Sequence, residues 1–168
     1  MTPEEIIDVE QSIIKREAVR CKLHRLPYGW ADSEELFLRR FRALLLPTSM
    51  ARTIWILIPV KDDDPCPSTR SLDLHLWIPE HICVGTVELE PNGCSVSIFA
   101  DAAFSASPLN QCIEALTLGA AALSGDFIIV KHLTEPREVV DMSNGDEQPA
   151  TDALLRFLES LVVNAAHV

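Results

Sequence analysis

ICVGTVELE, PNG and CSVSIF, the three parts of residues 82–99, decide how this chain is read. Two segments rich in β-branched and aromatic side chains flank a junction in which proline presets φ for a turn and asparagine or glycine takes positive φ. That composition predicts an antiparallel hairpin. Upstream, residues 53–58 (TIWILI) are apolar without polar alternation, as expected of a strand covered on both faces. Residues 71–78 (SLDLHLWI) do alternate, with Leu72, Leu74, Leu76 and Ile78 on one face and Asp73, His75 and Trp77 on the other, which predicts a half-exposed strand. Residues 61–68 between them are polar and broken by Pro65 and Pro67, so they read as a loop. Downstream, residues 127–130 read as a buried strand and 138–142 as a weaker one.

Around this strand-rich middle the period is helical. Thr2-Pro3-Glu4-Glu5 combines a cap hydroxyl, a proline at the first helical position and a glutamate that reaches back to the cap, and opens a helix to about Arg20. Asp32-Ser33-Glu34-Glu35 opens a second, carrying Leu36, Phe37, Phe41, Leu44 and Leu45 and ended by Pro47. Arg39, Arg40 and Arg42 fall in its last half, where cations complement the helix dipole. Ser107-Pro108 starts a third helix that Gly125 is placed to stop, and a last helix starts near Thr151 after an acidic loop at 143–149.

Runs of strands rather than strict strand–helix alternation predict an α+β fold: a mainly antiparallel sheet of about five to six strands with helices packed largely on one face. At 168 residues the chain fits a single domain spanning 1–168, with an N-terminal helical segment at 1–47 and a sheet with two helices at 51–168.

Composition narrows the function classes. There are 25 acidic against 14 basic side chains, a formal net charge of −11. A surface of that sign opposes sequence-independent nucleic-acid binding, which needs concentrated Lys and Arg, and docking on anionic lipid. No apolar run approaches the ~18 residues of a membrane span, and the N-terminus lacks the basic and apolar regions of a signal peptide. The five cysteines form no CxxC pair, so reduced thiols and a cytoplasmic location are expected.

Motifs for chemistry are scarce. No GxSxG string marks a nucleophile elbow, and the six glycines make neither GxxxxGK[ST] nor GxGxxG. His75, His81, Cys83 and Cys94 share the strand-rich region and carry zinc-binding atoms, yet their spacing fits no zinc module. Asp62-Asp63-Asp64 lacks the spaced ligands of a calcium loop; aligning Gly145 with that loop's glycine puts Val140 where its first acidic ligand belongs. No cofactor, metal or catalytic residue is therefore expected.

The function expected is a non-catalytic, acidic protein-binding module, acting as a chaperone-like, adaptor or neutralising partner. Its partner would be another protein, with a basic one the best electrostatic match, or a second copy forming a homodimer. Trp77, with His75 and Asp73 beside it on the polar face of its strand, and Phe157 and Leu161 on the broad apolar arc of the last helix are the partner-binding candidates. The alternatives are a small enzyme drawing on dispersed His75, His81, Asp73 and Cys83, or a structural subunit of a larger assembly.

Overall fold

The computed structural model describes residues 39–61, 64–89 and 93–166, with side chains described as far as Leu161. The helix expected over residues 2–20, the start of the second helix at Asp32 and the turn residues Pro91 and Asn92 lie outside them. The chain divides into two compact units, Met1–Arg39 and Arg40–Val168, and the elements below belong to the second.

Among the described residues, five strands form one antiparallel sheet: β1 (Arg40–Leu46), β2 (Ile54–Pro59), β3 (His81–Leu89), β4 (Cys94–Asp101) and β5 (Phe127–Leu133), in the spatial order β2-β1-β5-β4-β3. Two described helices accompany them, α1 (Gln111–Leu116) and α2 (Glu147–Ala166), so the α+β class holds. The β3–β4 hairpin pairs His81 with Asp101 at its open end and Leu89 with Cys94 at its turn, as residues 82–99 predict.

One core cluster joins Leu44, Leu46, Val96, Ile98, Phe127 and Ile129 of the sheet to Cys112 and Ile113 of α1 and to Ala150, Ala153 and Leu154 of α2. Side chains of the opposite parity, including Phe41, Leu45, Ile58, Ile128 and Val130, are buried as well, so the central strands are dry on both faces. Each fully buried aliphatic side chain contributes about 1.5–3 kcal/mol.

Several elements differ from expectation. Residues 40–46, expected inside a helix ending at Pro47, are β1. The spacing of Phe41, Leu44 and Leu45 suits a helix face, but pairing with β2 and β5 buries both parities of this run, and a strand meets that demand. Arg42 therefore answers to no helix dipole: its guanidinium lies 4.0 Å from the centre of the Trp55 ring, and its backbone N–H donates to the Asp141 carboxylate. β2 is covered on both faces only in part: Trp55 packs on the core cluster, but Leu57 is 45% exposed.

Residues 71–78 are not a strand but short 3-10 turns at Thr69–Ser71 and Leu74–Leu76. Leu72, Leu74 and Ile78 still point inward, so the alternation foretold burial without foretelling geometry. Residues 138–142 make only isolated bridges, Glu138 with Ser68 and Val139 with His132. The loop expected at 143–149 is a 3-10 turn, Asn144–Asp146, that runs straight into α2 four residues ahead of Thr151.

The third helix is far shorter than 107–125. Ser107 gives its hydroxyl to Asp101, and Asn110 caps α1 instead, accepting from the Ile113 N–H while its amide donates to the carbonyls of Leu46 and Gly125. α1 closes after two turns: the Gly119 N–H reaches the Glu114 carbonyl and the Leu118 N–H the Ala115 carbonyl, with Leu118 at φ 53° in the left-handed position that glycine usually fills. Among the described residues no helix is long and apolar enough to cross a membrane.

Candidate functional site

The partner-binding candidates come from two distant stretches of sequence, and β3 is the element that links them. It pairs with β4 on one side and, among the described residues, ends the sheet on the other. Its sequence, HICVGTVEL, contains a β-bulge: Cys83 faces Phe99 and Gly85 faces Ile98, so Val84 is an extra residue. The bulge resets the alternation. Ile82 before it, and Gly85, Val87 and Leu89 after it, share the parity of Ala100, Ile98 and Val96, which line the core cluster. His81, Cys83, Thr86 and Glu88 take the other face, opposite Asp101, Phe99, Ser97 and Ser95.

α2 lies against β3, and Gly85 is what lets it approach. A Cβ at position 85 would sit 2.5 Å from Cε2 of Phe157, well inside van der Waals contact. Phe157 is thus half-buried, packed on the core cluster and seated under β3, whereas Leu161, one turn further along α2, is 49% exposed.

At the start of β3 the His81 ring meets His75 edge-on at 4.9 Å and Phe99 at 6.0 Å. His75 Nδ1 lies 2.7 Å from the Pro79 carbonyl and His81 Nδ1 lies 3.4 Å from that of Ile78; a carbonyl only accepts, so both hydrogens sit on Nδ1. Burial disfavours the His81 imidazolium and lowers its pKa. The hydrogen bond to Ile78 opposes that shift, His75 and Lys61 deepen it, and Asp73 opposes it again. Asp73 precedes the turn that carries His75, and Trp77 follows it, half-buried, with its indole N–H enclosed and without a hydrogen-bond partner.

The structure therefore brings Asp73, His75 and Trp77 to one end of β3 and Phe157 beneath its middle. The metal candidates are not assembled: Cys94 stands at the turn end of the hairpin, opposite Leu89, while His81 is at the open end. Among the described residues no group of three or more His, Cys, Asp or Glu is placed to hold a metal ion.

A second polar feature had no signal in the sequence. On the face of β3–β4–β5 away from α2, Thr86 and Ser97 share a hydrogen bond of 3.1 Å, and Ser97 Oγ lies 2.8 Å from His132 Nε2. His132 Nδ1 donates to the Leu133 carbonyl, so Nε2 accepts from Ser97, an orientation reminiscent of a serine and its general base. The main-chain carbonyl supplies no charge to stabilise an imidazolium, and Ser97 and His132 are only 4% and 1% exposed, so no substrate carbonyl reaches Oγ. The chain of hydroxyls satisfies buried polar groups across three strands. The Cys112 thiol is likewise inert, pushed up to about 12 by burial and then by the Glu147 charge.

No protein-family model, curated protein or solved structure matches this chain.

Proposed function

We propose that the chain is a non-catalytic, acidic protein-binding module, a chaperone-like, adaptor or neutralising partner of another protein in the cytoplasm. The observation that carries the reading is the edge strand β3, nine residues long and, among the described residues, unpaired on its outer side, with Ile82 48% exposed. Backbone donors and acceptors along such an edge are a template for a partner chain. With both helices taken to cover one face of the sheet, that edge, the His75 turn beside it and Leu161 on α2 form the partner surface. The net charge of −11 selects for a basic partner and speeds its encounter.

The test is retention of a partner from the native lysate by tagged protein at low and moderate salt, compared with Thr86→Lys and Glu88→Lys variants. A stoichiometric basic partner, released by salt and lost with the variants, supports the reading. A monomeric protein that retains nothing in either buffer overturns it in favour of a small enzyme using His75, His81, Asp73 and Cys83.

A further inference from the structure

The two edges of the sheet are finished differently. β2 is six residues long, ends in Pro59, and its far end is covered: Val60 bridges Leu72, the Lys61 N–H reaches the Ser71 carbonyl and the Asp73 N–H reaches that of Pro59. Proline, shortness and a covering segment are the usual ways of disarming an edge. β3 has nine residues with neither proline nor lysine. Its one irregularity, the bulge at Cys83 and Gly85, leaves residues 85–89 in unbroken register with 98–94.

From this we infer that the partner engages as an extended basic segment that adds a strand to the outer edge of β3 over residues 85–89; the inference rests on the binding-module reading. A strand added about 4.8 Å from β3 sets its alternate side chains beside those of β3. On the α2 side it meets Val87, two residues along from Gly85 where the Phe157 ring packs; on the other face it meets Thr86 and Glu88, both exposed. Apolar residues alternating with Lys or Arg match that pair of faces. A second copy is a poorer occupant, because each copy carries the same net charge of −11 and its own Glu88.

The probe is an acetylated, amidated heptapeptide, Val-Lys-Val-Lys-Val-Lys-Val, alongside the same peptide N-methylated at alternate residues, which keeps the charge and removes half the backbone donors. With the full chain, methylation at the strand-facing residues should weaken binding at least about tenfold, and the unmethylated peptide should slow amide exchange in residues 85–89 at alternate positions. Glu88→Lys, with its circular dichroism unchanged, should weaken binding by about tenfold as well. Equal affinity for the two peptides, or protection away from β3, would overturn strand addition while leaving a charge-driven binding module standing. Failure of both peptides to bind overturns the inference too, and the lysate experiment then decides the broader reading separately. Protection of residues 85–89 in a peptide-free dimer, seen by sedimentation, overturns the choice of occupant in favour of a second copy.

Discussion

Asn110 is a single side chain whose three hydrogen bonds tie together the end of β1, the first turn of α1 and the residue before β5's lead-in. It is 1% exposed, so Asn110→Ala strands two carbonyls and an N–H away from water. The expected cost is about 2–4 kcal/mol in a urea titration, larger than for an exposed cap because the orphaned groups are buried. A loss under about 1 kcal/mol, the exposed-cap value, would mean water repairs the site. Leu118 predicts the opposite sign. It is 95% exposed and holds φ 53°, so Leu118→Gly gives up almost no apolar burial and relieves left-handed strain, for a gain of about 1 kcal/mol. Neither role was legible beforehand. Ser107-Pro108 and Asn110 are both acceptable starts for a helix, and only the carbonyls of Leu46 and Gly125, brought in by the fold, choose between them.

For whole elements, legibility depended on whether a segment's neighbours were near in sequence. The hairpin of β3 and β4 was readable because its turn and both its strands lie within residues 82–99. β1 was not: its run RFRALLL acquires strand character from β2 and from β5, whose pairing with Leu44 comes from Ile129, 85 positions away. The candidate site shows the same division. Asp73, His75, Trp77 and Phe157 stand out individually in the sequence, but the edge strand that relates them does not, because strand order is a tertiary property. Gly85 tests how closely that strand and α2 are coupled. Gly85→Ala should displace the Phe157 ring and destabilise by about 1–3 kcal/mol, and Phe157→Leu in the same chain should recover part of the loss. Strict additivity of the two substitutions in thermal or urea unfolding would show that α2 does not rest on β3 at this point.

For the molecule as a whole, two groups at different places in the fold respond to acid with the same sign in different ranges. His81 has its pKa lowered, burial being the main cause, so below about 6.5 the unfolded chain takes up a proton that the folded chain resists. Stability is then full above that pH and declines as pH falls through 6.5 toward the lowered value. Asp146 behaves as a carboxylate held in its charged form. Burial alone would raise its pKa, but the Ser143 N–H, the Lys131 ammonium and the Ser143 hydroxyl together outweigh it and lower the value. Its contribution is present above the ordinary aspartate value of about 3.9 and is lost as pH falls below that, when the contact anchoring the start of α2 to β5 is neutralised. Unfolding free energy measured from pH 8 to pH 2.5 should therefore fall in two steps. His81→Gln should flatten the upper step and leave the lower one, while Asp146→Asn should lower the neutral-pH stability and remove the lower step. An unchanged upper step in His81→Gln would show that His81 is not its source.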